Sequence, residues 1–230
     1  MQADKNYPEL EKFCRQLGVD LFGVADVKEI KNEFAFSAAL LEKMDRAICL
    51  GMRLNDLVME DIADAPTRLY SYHYRTVNLL LDQIALKTTA YINKNGYLAL
   101  PVPASQVLDW QKHTAHLSHR KIAYLAGLGW IGRNNLLVHP EFGSRLRLVT
   151  ILTDMPLETG APIKENCRDC RRCVEVCPAG AIKDGPADFD RAACLAKLKE
   201  FQKKHIVEQY ICGVCVRACR GKRTEKGTAP

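Results

Sequence analysis

Apolar and polar positions along the chain change period several times, and each change predicts an element. Residues 8–17 put Leu10, Phe13, Cys14 and Leu17 on one face of a short helix that Gly18 stops. Residues 19–25 and 46–52 are apolar runs that read as buried strands, with a helix candidate at 34–44 between them. Residues 53–68 are mixed and polar, with Pro66, and read as loop or short helix. The clearest helix is 70–93, where Val77, Leu80, Leu81, Ile84, Tyr91 and Ile92 keep helical spacing and Asn95-Gly96 ends it. Pro101 and Pro103 bias residues 97–103 toward extended backbone. Residues 106–126 and 191–205 read as further helices.

One glycine-rich stretch needs separate treatment. Gly127-Leu128-Gly129-Trp130-Ile131-Gly132 formally fits a dinucleotide-binding GxGxxG. That fingerprint requires a strand before it and a helix after it. Here a helix precedes, and a hairpin is expected to follow: residues 135–139, a turn at Pro140-Glu141-Phe142-Gly143, then 145–153. The dinucleotide reading is therefore rejected. A glycine-rich bend can still bring backbone N–H groups close to a large cofactor.

Composition narrows the class. At 47% hydrophobic and 26% charged over 230 residues, this is an ordinary globular chain of one domain or two small ones. No apolar run approaches the ~20 residues of a membrane span, and the first thirty residues lack the shape of a signal peptide. A cytoplasmic protein with no membrane partner is expected. The formal net charge of +6 is uneven: residues 160–230 carry 15 basic and 9 acidic side chains, and residues 1–159 are neutral. Basic patches bind phosphate, so RNA is one reading. Charge balance around negatively charged metal centres in the same segment is the stronger one.

That segment holds eight of the ten cysteines. It runs Cys167-x2-Cys170-x2-Cys173-x3-Cys177-Pro178, then Cys194, then Cys212-x2-Cys215-x3-Cys219. Clustered cysteines in a reducing compartment point to metal rather than disulfides. The first run is the bacterial ferredoxin pattern, in which the fourth Cys ligates the other cluster. Zinc sites use CxxC pairs but rarely this run. The reading is two [4Fe–4S] clusters. By ferredoxin logic Cys167, Cys170, Cys173 and Cys219 hold cluster 1, and Cys177, Cys194, Cys212 and Cys215 hold cluster 2. Cys194 stands in for a missing third Cys of the second run. Cys14 and Cys49 fall inside predicted elements and read as small core residues.

Taken together, Gly127-Leu128-Gly129-Trp130-Ile131-Gly132-Arg133-Asn134, Thr153-Asp154-Met155-Pro156-Leu157 and the cysteine pattern resemble the epoxyqueuosine reductases, cobalamin-dependent two-cluster enzymes related to reductive dehalogenases. The resemblance implies an α/β (α+β) fold: a nitroreductase-like corrinoid-binding domain over 1–158, then a ferredoxin-like double-cluster domain over 159–230. It implies an iron–sulfur oxidoreductase that passes electrons through both clusters to a bound corrinoid (cobalamin). The corrinoid is expected near Gly127, Gly129, Trp130, Ile131, Gly132, Arg133 and Asn134. The donor would be a ferredoxin or flavodoxin, and the acceptor a small molecule or a corrinoid protein. Alternatives are an electron-transfer partner without its own substrate, or epoxyqueuosine reduction on tRNA.

The likeness is to a shortened member that departs from the family at two places. The catalytic Asp position falls on His113, and the family's Asp-Tyr-His triplet reads Ser71-Tyr72-His73. The core electron path looks kept while the protonating apparatus looks changed. His113 and Tyr72 are the catalytic candidates, since imidazole works as acid or base near neutral pH and related dehalogenases use a Tyr as proton donor. The bland readings are a polar helix face for His113, His116 and His119, and packing for Tyr72 and Trp130.

Overall fold

The computed structural model describes residues 3–109 and 114–222. In chain order these form α1 (Ala3–Gln16), β1 (Leu21–Asp26), α2 (Ala38–Leu41), β2 (Arg46–Arg53), α3 (Asp56–Glu60), α4 (Arg68–Lys94), β3 (Ala99–Val102), α5 (His119–Leu125), β4 (Trp130–Ile131), β5 (Leu137–Val138), β6 (Leu146–Thr153), α6 (Arg172–Glu175), α7 (Arg191–Lys203) and α8 (Val214–Ala218). A 3-10 turn, Lys28–Glu33, follows β1. The fold is mixed α/β, and the chain divides into two compact units.

The first unit takes residues 1–52, 76–128 and 147–163. Its sheet has the order β1-β2-β6-β3, with β1 antiparallel to β2 and β3 antiparallel to β6. Leu21 faces Gly51 and Ala99 faces Thr153. Central β2 buries Ala47, Ile48, Cys49 and Leu50 in succession, as expected of a strand covered on both faces. Leu10 and Cys14 of α1, Leu81, Ile84 and Ile92 of α4, and Ile122 of α5 complete the core. Each such side chain contributes about 1.5–3 kcal/mol through burial. Cys14 meets Thr88 at 3.5 Å, and burial raises its thiol to about 11. Burial pushes Cys49 further up. Both are core residues. Leu80 leaves the apolar face, 38% exposed.

Two expected elements differ. Among the described residues of 106–126, the helix is His119–Leu125, capped by Ser118, whose side chain accepts the Lys121 N–H. Leu108 N–H donates to Thr114 O at 2.8 Å, so the chain folds back before the helix begins. His119, with both ring nitrogens engaged, starts that helix: Nε2 lies 2.9 Å from Pro103 O and Nδ1 2.8 Å from Thr150 Oγ1. A carbonyl only accepts, so Nε2 carries the proton and Nδ1 accepts from Thr150. The expected hairpin also divides. β5 pairs with β4, Val138 facing Trp130, while β6 joins the large sheet beside β3.

The second unit takes residues 53–75, 129–146 and 164–222. It thus draws on two segments that precede residue 159. A buried arginine ties its parts together. Arg145 (side chain 5% exposed) reaches Asp56 at 3.0 Å, Glu60 at 2.8 Å and the Arg217 carbonyl at 3.1 Å. Glu60 also binds Arg220 at 2.7 Å. Burial opposes ionisation of Glu60, but these guanidinium groups outweigh it and hold its carboxyl below the usual range.

Candidate metal centre

The eight clustered cysteines all lie in the second unit, and all are free thiols. Cys170 N–H donates to Cys167 O at 3.0 Å and closes the first bend. Cys173 sits on α6, and Cys177 follows its end, with its N–H on Val174 O at 3.3 Å. Cys194 rides on α7, whose start is fixed by Asp190 accepting the Ala193 N–H at 2.9 Å. Cys212 precedes α8, Cys215 lies within it, and Cys219 caps it.

The sulfurs act on one another in two groups. Burial, then Cys219, Cys167 and Cys170, push the Cys173 thiol up to about 12. Burial, then Cys177, raise Cys194. Burial raises Cys212 to about 11, with Cys194 and Cys177 adding to it and the Val214 N–H opposing. Cys215, raised by burial, feels Cys212, Cys194, Cys177 and also Cys173, so it lies where the two groups meet. Thiols held this high ligate only when a metal's positive charge draws off the proton.

Among the described residues, no group of three or more His, Cys, Asp or Glu is arranged to hold a single metal ion. A mononuclear zinc site would gather four ligands within about 2.0–2.3 Å of one centre. A cubane binds each thiolate on a separate iron, so its ligands stand farther apart. The donor set on the page is eight thiols in one unit, spaced as in a ferredoxin run.

The glycine-rich bend turns toward these cysteines. Trp130 is buried, and its indole N–H points to Cys167 Sγ at 3.5 Å. Arg133 donates to Cys170 O at 3.0 Å and to Arg168 O at 2.7 Å. Its Nε is buried with no hydrogen-bond partner, an orphaned donor of the kind an anionic group satisfies. Asn134 is 3% exposed; its amide donates to Ser144 Oγ at 3.0 Å and accepts the Leu136 N–H at 3.3 Å. The glycines have internal reasons as well. A Cβ on Gly132 would meet Val138 Cγ2 at 2.5 Å, one on Gly127 would meet Ala161 O at 2.7 Å, and one on Gly129 would overlap Val138 O. Ile131 pairs with Leu137 in the small sheet. The side chains of Trp130 and Asn134 are thus engaged by the chain itself, while Arg133 Nε is left for a further acceptor.

Of the catalytic candidates, His113 lies outside the described residues. Tyr72 is 63% exposed, and its ring stands 6.0 Å from the Arg75 guanidinium. It lines an open cavity of about 790 Å³ together with Arg68, Arg75, Lys203, His205 and Glu208. His73 is turned away, accepting the Asn55 N–H at 3.0 Å. The pattern of residues gave no sign of Ser144. It lies ten positions after Asn134; its N–H donates to the Cys219 carbonyl at 3.3 Å, and its hydroxyl opposes the rise that burial gives the Cys219 thiol.

Comparison with known proteins follows the same lines. The family model described as "4Fe-4S binding domain" matches residues 162–183, which contain Cys167, Cys170, Cys173 and Cys177. An epoxyqueuosine reductase of Bacillus anthracis is 33% identical over 132 residues, 54% of this chain and 34% of that protein. The match thus spans about a third of the relative's length. Among solved structures, the catabolic reductive dehalogenase NpRdhA in complex with 3-bromo-4-hydroxybenzoic acid superposes with a TM-score of 0.74 at 20% identity, covering 94% of this chain and 32% of that one. Epoxyqueuosine reductase from Streptococcus thermophilus gives 0.67 at 20% identity, covering 97% and 68%. The chain is related in sequence to epoxyqueuosine reductases and shares a fold with reductive dehalogenases. Among the described residues, no helix is long and apolar enough to cross a membrane.

Proposed function

We propose that this relative of the epoxyqueuosine reductases is an iron–sulfur oxidoreductase. It holds two [4Fe–4S] clusters, one on Cys167, Cys170, Cys173 and Cys219 and one on Cys177, Cys194, Cys212 and Cys215. The observation that carries this is the gathering of all eight thiols of the cysteine run in one compact unit, the first four within the segment that matches the 4Fe-4S binding domain. Two clusters built from one interleaved cysteine run would form a path for single electrons. Residues 159–230 supply every cluster ligand in this reading, with 53–75 and 129–146 as supports.

The acceptor we propose is a corrinoid, bound by the chain or carried by a partner, on the strength of the family likeness alone. When bound, such a group supplies low-valent cobalt. Its proposed contacts remain Gly127, Gly129, Trp130, Ile131, Gly132, Arg133 and Asn134, with Arg133 Nε a donor that the chain leaves open. Tyr72, exposed at the open cavity, is the proposed proton donor to a substrate there. The chain's own residues do the rest: they hold the thiolates, bury Cys173, and balance the clusters' negative charge with the lysines and arginines of residues 160–230. Sequence kinship favours one second reading, epoxyqueuosine reduction on tRNA.

The test is anaerobic reconstitution with iron, sulfide and cobalamin, then gel filtration. About eight irons per chain are expected. Cys194→Ser should lower this to about four while the Cys167-Cys170-Cys173 cluster persists. Wild-type protein with fewer than about four irons would sink the two-cluster reading. A corrinoid absorption band that co-elutes marks a bound acceptor, and its absence moves the corrinoid to a partner. Turnover of epoxyqueuosine-containing tRNA would establish the second reading.

A further inference from the structure

The bend's polar groups converge on the sulfurs assigned to cluster 1. Trp130 Nε1–H lies 3.5 Å from Cys167 Sγ, and an indole nitrogen can only donate. On the other side, Ser144 Oγ accepts the Asn134 amide N–H at 3.0 Å. Asn134 is oriented for this, because its oxygen is occupied by the Leu136 N–H. With an acceptor site of Ser144 so filled, its own hydrogen is directed to the hydroxyl's remaining neighbour, Cys219. The Ser144 N–H donates to the Cys219 carbonyl at 3.3 Å and so holds the hydroxyl beside that cysteine. Trp130, Asn134 and Ser144 are buried, so these bonds form away from water, where they are strongest.

We propose that the segment 129–146 sets the reduction potential of cluster 1, with Trp130 donating to the Cys167 thiolate and Ser144, oriented by Asn134, donating to the Cys219 thiolate. Reduction adds one electron to the cluster and breaks no bond. The added negative charge spreads onto the thiolates, so each donor binds the reduced form more strongly and raises the potential. These are positioning and tuning residues, since none ligates iron. The proposal rests on the ligand assignment made above.

The experiment is potentiometric titration of the reconstituted full chain, followed by electron paramagnetic resonance. Cluster 1 is identified by its signal in Cys194→Ser. Trp130→Phe keeps an aromatic ring and removes the donor; Ser144→Ala removes the hydroxyl and leaves the backbone bond to the Cys219 carbonyl. Each is expected to disfavour reduction of cluster 1 roughly five- to tenfold, which is ~40–60 mV downward for one electron. Cluster 2 serves as the internal reference and should not move. Ser144→Thr restores the hydroxyl and should return cluster 1 close to its original midpoint. Unchanged cluster-1 midpoints in Trp130→Phe and Ser144→Ala at full iron content overturn the proposal. So does an equal shift of both clusters in all three variants, which marks a general rearrangement. If Trp130→Phe loses iron, the Ser144→Ala and Ser144→Thr pair decides alone. A wild-type chain that takes up no cluster overturns the ligand assignment instead, a result separable by its iron content.

Discussion

Gly143 is where the hairpin turn and the cluster segment come closest. Its φ is +60°, and an added Cβ would overlap the carbonyl oxygen of Cys219. Its N–H and carbonyl both pair with His139 at 2.9 Å, and the next residue, Ser144, sends its N–H to that same Cys219 carbonyl at 3.3 Å. Gly143→Ala therefore pays twice. A left-handed L-residue costs ~1–2 kcal/mol, and forcing a methyl into a filled site costs a further ~1–3 kcal/mol. The total is about 2–5 kcal/mol. Gly180 supplies the control: its φ is +56°, in the same unit, with nothing within 4 Å of a built Cβ. Gly180→Ala should cost only the conformational ~1–2 kcal/mol. The assay is urea unfolding of reconstituted protein, followed by cluster absorbance and far-ultraviolet circular dichroism, with iron counted per chain. Gly143→Ala is expected to unfold at lower urea than Gly180→Ala and to retain less cluster-1 iron. Equal midpoints, within about 0.5 kcal/mol, with full iron in both would refute the close-approach argument.

Arg145→Ala should destabilise the second unit by about 2–3 kcal/mol. That is less than the ~3–5 kcal/mol for breaking a fully buried pair, because Asp56 and Glu60 are 48% and 37% exposed and can rehydrate; denaturant unfolding measures it, and a loss under about 0.5 kcal/mol would contradict the tie described here. Acid stability of the first unit should depend on His119, which burial holds at about 4. Its folded pKa lies below the unfolded value of ~6.5, so the fold disfavours the proton: stability is complete above that value and falls as pH drops toward 4. Allowing for partial exposure, the loss is about 1–3 kcal/mol, and His119→Gln should flatten the slope between pH 7 and 4.5 in denaturation curves. Removing iron with an oxidant and chelator should raise hydrogen exchange in residues 164–222 while the β1-β2-β6-β3 sheet keeps its protection, since α6 and α8 have four and five residues and cannot hold themselves.

Much of the fold was legible because it rests on period. The strands at 19–25 and 46–52 and the helix at 70–93 match β1, β2 and α4 to within a few residues. Where apolar spacing was weak, local polar chemistry decided instead. Residues 106–126 contain Ser118, whose side chain caps a helix start, so the chain before it was freed to fold back through Leu108 and Thr114. The hairpin misled because an apolar run shows that a strand is buried but not which neighbour it pairs with. β6 found β3, far back in the chain, and only three-dimensional packing selects that partner.

The candidate site shows the same division more sharply. The cysteine spacing spoke for itself because ligation is local chemistry at fixed intervals. The glycine-rich bend was conspicuous for an equally good reason, but its purpose was not readable from its composition. Glycines that admit a ligand and glycines that admit the chain's own backbone look alike in one dimension. Here Gly129 makes room for the Val138 carbonyl and Gly132 for the Val138 side chain, and the same bend sets Trp130 on the Cys167 sulfur and Asn134 on Ser144. Two segments separated by more than thirty residues thereby become one site. The bend is tied to the cysteine run through an indole on the Cys167 sulfur and a guanidinium on the Cys170 and Arg168 carbonyls, so a change in the bend should first be visible in the electronic properties of the metal centre.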